Sequence, residues 1–82
     1  MPFVNNKVPL DELAPGEQGT LLAFTDERQV TNRLASLGFT PGVSVNMTQN
    51  YGRGPLIVTV RGTRVALGRG EAARILVQKE QV

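Results

Sequence analysis

The side chains able to do chemistry are few, and their arrangement limits what they can do. The 82-residue chain has neither histidine nor cysteine. That removes the commonest general base near neutral pH, the thiolate nucleophile, the disulfide staple and the commonest soft metal ligands. Serine–histidine and cysteine–histidine pairs cannot be assembled within the chain. The carboxylates include two adjacent pairs, Asp11-Glu12 and Asp26-Glu27. Neighbours on a helix point in different directions, so neither pair converges on one metal ion or substrate. Each pair sits where a helix would begin, and capping accounts for it there. No catalytic residue and no intrinsic metal site is expected.

Two glycine-flanked arginines, in Gly52-Arg53-Gly54-Pro55 and Gly68-Arg69-Gly70, invite a phosphate-loop reading. A P-loop needs Lys followed by Ser or Thr after its last glycine, and a dinucleotide fold needs G-x-G-x-x-G opening a helix. Neither is present, so these glycines read as turn residues and no nucleotide cofactor is expected. Arg53, Arg61, Arg64, Arg69 and Arg74 could follow a phosphate backbone. Small barrels that bind nucleic acid usually add aromatic stacking platforms. Tyr51 is the single tyrosine, and Phe24 and Phe39 fall where packing claims them. A nucleic-acid-binding barrel using the C-terminal arginines is the alternative function; nucleic acid is not the expected partner.

Charge divides along the chain. Residues 1–41 hold Lys7, Arg28 and Arg33 against Asp11, Glu12, Glu17, Asp26 and Glu27, a net of −2. Residues 42–82 hold Arg53, Arg61, Arg64, Arg69, Arg74 and Lys79 against Glu71 and Glu80, a net of +4. Such asymmetry marks either a solvated barrel face or a surface for an acidic partner, nucleic acid or an anionic membrane. The opening residues, MPFVNNKVPL, lack the pattern of a signal peptide, and no apolar run approaches the ~20 residues of a membrane span. A soluble, cytoplasmic protein is the expectation.

These side chains must be positioned by short elements. Val8-Pro9-Leu10-Asp11-Glu12-Leu13 reads as one helical turn with Leu10 and Leu13 facing a core, stopped by Pro15-Gly16. Residues 19–25 read as a strand. A helix is predicted over 27–37, with a near capping box at Asp26 and Val30, Leu34 and Leu37 in one apolar stripe. Gly38 ends it and Pro41 forbids its resumption. Residues 43–48 alternate as a half-buried strand, and 50–55 are loop. Leu56, Val58 and Val60 share a strand face, as do Val65 and Leu67 beyond Gly62. A turn at Gly62-Thr63 pairs Val60 with Val65, whereas one at Arg61-Gly62 pairs Val58 with Val65. Both registers keep the apolar faces together. Glycine at the first central position of a type II′ turn favours the Gly62-Thr63 option. Residues 68–73 read as a tight turn with one helical turn. Residues 74–79 form the last strand, with Ile75 and Val77 inside. Val58, Val60, Val65 and Leu67 should form one buried cluster with Val45, Ile75 and Val77 around it. About five short antiparallel strands with one inserted helix make a mainly β fold, a closed or nearly closed small barrel.

The order of these pieces carries a resemblance. Leu10-Asp11-Glu12-Leu13-Ala14-Pro15-Gly16 with Gly19 opens it, and Arg33-Leu34-Ala35-Ser36-Leu37-Gly38-Phe39-Thr40-Pro41-Gly42 is its centre. Gly54-Pro55-Leu56-Ile57-Val58-Thr59-Val60-Arg61-Gly62, Val65-Ala66-Leu67 and Glu71-Ala72 complete it. Together they resemble the FeoA family, ferrous-iron transport protein A, over residues 8–79, leaving tails at 1–7 and 80–82. The resemblance implies an SH3-like barrel with a helix after the first strand. It also implies a non-enzymatic cytosolic accessory that binds the cytoplasmic part of FeoB, the membrane GTPase-transporter of bacterial ferrous-iron uptake, and modulates it. Membrane association would then come only through that partner, and self-association is left open. Iron belongs to the pathway, and transition-metal binding is a family term that this chain's ligand types do not support. The same domain occurs at the C-terminus of iron-dependent repressors, whose DNA-binding domain 82 residues cannot hold. The loop Gln49-Asn50-Tyr51-Gly52-Arg53 departs from the common pattern.

The inserted helix is not needed to close a five-stranded barrel. Its stripe either caps one barrel end or is shared with a partner. The expected contact patch is Arg33, Leu34, Leu37 and Phe39, with Leu34 as anchor and Arg28 and Arg33 on the rim. The loop around Tyr51 and Arg53 is the second candidate.

Overall fold

The computed structural model of the chain describes residues 6–25 and 27–80, with backbone only for 27–31. Strand β1 (Lys7–Pro9) leads into a single 3₁₀ turn (Leu10–Glu12). Then follow β2 (Gln18–Phe24), α1 (Glu27–Ser36), β3 (Ser44–Gln49), β4 (Leu56–Val60), β5 (Thr63–Leu67), α2 (Arg69–Ala72) and β6 (Ile75–Lys79). The strands form one antiparallel sheet of six in the order β1-β6-β2-β3-β4-β5.

β1 is one strand more than the sequence pattern suggests. It is too short to show alternation, and it exists through its partner. Lys7, Val8 and Pro9 pair with Gln78, Val77 and Leu76, and Lys79 N–H donates to Asn6 O at 2.8 Å. The expected barrel closure is also incomplete. β1 and β5 are the two edges, and among the described residues no ladder joins them. Instead the sheet bends at register shifts between Leu21 and Ala23 against β6 and between Met47 and Gln49 against β4. Leu10 and Leu13 from the 3₁₀ turn enter the core with no exposed surface.

Period-two burial runs through the strands as expected. Leu56, Val58 and Val60 of β4, Val65 and Leu67 of β5, Val45 of β3, and Ile75 and Val77 of β6 lie in one buried cluster. The β4–β5 register, however, is the other of the two that the pattern allows. Val60 pairs with Thr63, Val58 with Val65 and Leu56 with Leu67. The turn is Arg61-Gly62, with φ of 51° and 78°. Two positive values at the central residues are those of a type I′ turn, whose twist matches the strands. Arg61 in the left-handed region costs about 1–2 kcal/mol. This register gives Leu56 an apolar cross-strand partner, Leu67, which the Gly62-Thr63 turn would withhold.

α1 ends as its sequence requires. Gly38 takes φ of 103°, and Gly38 N–H and Phe39 N–H donate to Ala35 O and Leu34 O, each at 3.0 Å. The chain then turns back onto β2 through Gly42 N–H to Leu21 O at 2.8 Å. The expected cap at Asp26, the Arg28 rim and the burial of Val30 lie outside the described side chains.

Glu17 ties the start of β2 to the end of β6. Its carboxylate accepts from Ala14 N–H at 2.7 Å and from Lys79 Nζ at 2.9 Å. The Ala14 N–H first, then the Lys79 ammonium, hold this carboxyl below its ordinary value. A folded value below the unfolded one stabilises above the glutamate range, and the benefit is lost as pH falls through the folded value. Stability should therefore fall on acidification below about pH 4. The decline should be shallower in Glu17→Gln, read as urea midpoints across the same pH series.

Candidate partner-binding surface

The core claims most of the large apolar side chains, so the residues left outside define the surface. Leu34 and Phe39 have no exposed surface. The expected patch is corrected there: these two hold α1 and its exit onto the sheet and cannot touch a partner in this conformation. The reason is the Gly38 turn, which folds Phe39 back under the helix beside Leu34. Leu37 stays outside, 36% exposed, and Arg33 is exposed as well. Arg33 Nη1 bonds Glu71 Oε2 at 2.5 Å and so joins α1 to α2. Glu71 Oε1 also accepts from Gly68 N–H at 3.2 Å at the start of α2. A surface pair of this kind contributes under about 1 kcal/mol and can exchange partners.

The second candidate has a different character. Tyr51 is 77% exposed and Arg53 beside it is exposed too. Their loop is nevertheless pinned at its root by Asn50. The Asn50 Nδ2 donates to Asp11 O at 3.0 Å and Leu13 O at 2.8 Å, both beside the 3₁₀ turn. Its Oδ1 accepts from Gly52 N–H at 2.9 Å, which shapes the turn, and from Arg69 Nη2 of α2. Gly52, with φ of 83°, supplies the left-handed residue that this turn needs. One amide thus bonds two carbonyls, one N–H and one nitrogen of the Arg69 guanidinium.

Sequence reasoning missed Asn50 as this hub. The available signal was local only: an asparagine two residues before a glycine predicts a side-chain-to-backbone turn. Arg69 is accordingly a structural arginine, half-buried against Asn50. Of the two glycine-flanked segments, 52–55 is a loop and 68–70 opens α2, a helix of four residues. Asp11 and Glu12 lie on the 3₁₀ turn, and among the described residues no three carboxylates gather as a metal-ligand set. No enclosed pocket opens among them either.

A family model of the FeoA domain matches residues 8–79. The chain belongs to the FeoA family. It is 37% identical over 46 residues to a protein of Methanocaldococcus jannaschii named as an Fe(2+) transport protein A, covering 56% of this chain and 55% of that one. The matched stretch thus spans little more than half of that relative. A crystal structure of the iron uptake regulatory protein FeoA superimposes with a TM-score of 0.84 at 35% identity, covering 90% of this chain and 99% of that one. FeoA of Stenotrophomonas maltophilia, solved in complex with zinc and described as a prokaryotic SH3 domain protein, has a TM-score of 0.72 at 33% identity, over 88% of this chain and 94% of its own. The fold of this FeoA chain is therefore SH3-like and mainly β.

The Asn50 hub has a measurable worth. Asn50→Ala strands the Asp11 and Leu13 carbonyls and frees the loop. It should cost about 2–4 kcal/mol in urea unfolding, the sum of several lost bonds at about 1 kcal/mol each. Asn50→Asp keeps the shape and the acceptor but sets a carboxylate against two carbonyls. It should destabilise comparably, whereas an unimportant loop residue would tolerate it.

Proposed function

We propose that this chain is a non-enzymatic accessory of ferrous-iron uptake that binds the cytoplasmic part of FeoB and modulates it. Family membership supplies the pathway. Iron is the transporter's cargo in this reading, and the accessory itself has no His or Cys with which to hold it. No helix among the described residues is long and apolar enough to cross a membrane. Contact with the bilayer would therefore come through the partner, and the partner's cytoplasmic part sets the compartment.

The observation that carries the mode of action is Tyr51, a largely exposed aromatic on a loop held by four hydrogen bonds at its root. Interfaces are anchored by a few aromatic and arginine side chains, and a preorganised loop loses little entropy when it docks. We assign Tyr51 as the anchor and Arg53 as its charged neighbour. Leu37 and Arg33 form the exposed remainder of the helical patch. Binding at this loop would alter FeoB through the position of the docked domain, with no bond made or broken.

A pull-down against cytoplasmic FeoB, with and without guanine nucleotide, tests the reading. Tyr51→Ala should weaken capture about tenfold or more, as loss of an interface anchor does, with a nearly unchanged melting temperature. Undiminished capture by folded Tyr51→Ala would remove the loop from the interface. Leu34→Gln serves as the contrast, since it should lose binding and melting temperature together.

A further inference from the structure

The two edges of the sheet are not alike. β1 is three residues long and ends on Pro9, which blunts it as a template for further pairing. β5 is five residues long, has no proline and pairs with β4 without a bulge. Its register shows which of its backbone groups face outward. In a two-residue hairpin the residues flanking the turn, Val60 and Thr63, form a hydrogen-bonded pair. By alternation Val58–Val65 and Leu56–Leu67 are hydrogen-bonded pairs, while Thr59–Arg64 and Ile57–Ala66 are not. The N–H and C=O groups of Arg64 and Ala66 therefore point away from β4. No backbone or side-chain bond reaches these four groups from any described residue. The side chains of Arg64 and Ala66 are exposed as well.

Charge says what could lie there. Between Glu27 and Glu71 the sequence holds Arg28, Arg33, Arg53, Arg61, Arg64 and Arg69, with no lysine and no carboxylate. Arg33 is paired with the Glu71 carboxylate, while Arg69 bonds the uncharged Asn50 amide. Among the described residues Arg61, in the turn before the edge, reaches the uncharged Gly38 O and Thr40 Oγ1, at 3.5 and 3.4 Å. Arg64 lies on the edge itself, across from Thr59. A second copy of this chain pairing edge to edge would set two such cationic hairpins side by side, which like-charge repulsion opposes.

We propose that the β5 edge accepts an acidic, extended segment of a partner protein as an added strand. Main-chain bonds to Arg64 and Ala66 hold the segment. Carboxylates at alternate positions, on the face shared with the Arg64 side chain, select it. This surface is separate from the Tyr51 loop, and the proposal does not depend on which protein supplies the strand.

The test uses the whole chain labelled with nitrogen-15 and the blocked peptide Thr-Glu-Val-Glu-Val-Glu-Thr at low salt. Its counterpart with Lys in place of Glu is the charge control. The Glu peptide should shift the Arg64 and Ala66 amides and slow their hydrogen exchange, and the Lys peptide should do neither. Arg64→Glu should weaken binding about fivefold, since one cross-strand attraction becomes a repulsion. Ala66→Pro removes an outward N–H that the β4 ladder does not use, so it should fold and lose binding. Should that variant melt early, the wild-type chain with a peptide N-methylated at alternate amides asks the same question from the other side, and binding should again be lost. Several results would overturn the proposal: undiminished binding of the methylated peptide, shifts confined to residues 50–55, equal binding of the Lys peptide, or the same amides perturbed by duplex DNA instead. A concentration-dependent dimer abolished by Ala66→Pro would also overturn it, by giving the edge to a second copy.

Discussion

The side-chain amide of Asn50 joins three parts of the chain that no strand ladder connects. The 3₁₀ turn follows β1 at one edge of the sheet, α2 follows β5 at the other, and the β3–β4 loop lies between them. Asn50 bonds to all three. Because β1 and β5 do not pair, side chains must close what the backbone leaves open. Apolar contact through Leu10 and Leu13 fills the gap, and the Asn50 amide fixes its geometry. A hydrogen bond contributes only about 1 kcal/mol net, yet stranding the buried partners of this amide costs more than that. The loop that carries Tyr51 inherits its position from the same amide.

The economy of a small domain explains why so little is left outside. A chain of this length buries only about 60% of its unfolded surface, and nothing here is stapled by disulfide. The helix stripe is drawn into that demand. Leu34 and Phe39 are used to seal α1 against the sheet, and among the described side chains of the stripe Leu37 remains at the surface. The same economy leaves Ile57, Thr59, Arg64 and Ala66 on the outer side of the β4–β5 hairpin, with Arg64 at its edge.

Much of this was legible in the sequence, and the exceptions share a cause. The helix over 27–37 and the apolar faces of β3, β4 and β6 follow from local periodicity, which local residues settle. β1 was not legible, because three residues carry no period and its register is borrowed from β6. The hairpin register was tied on apolar pattern alone. It is decided by a left-handed Arg61, which residue preference argues against. Periodicity places Leu34 and Phe39 on an apolar face, but it does not say whether barrel or partner covers that face. Asn50 announces a local turn, while its decisive bonds reach residues 37 and 39 positions earlier in the chain. Long-range polar contacts of this kind leave no periodic trace.

In the function proposed for this FeoA domain, a fixed loop offers an aromatic and an arginine to the partner. Its central requirement is that residues 50–55 be rigid before any partner arrives. Nitrogen-15 relaxation of the Tyr51, Gly52, Arg53 and Gly54 amides in the free protein tests this most directly. The account predicts order parameters close to the rigid-backbone value of about 0.85 in the wild-type chain, falling in Asn50→Asp under conditions where the sheet remains folded. Values below about 0.6 in the free wild-type loop would contradict it.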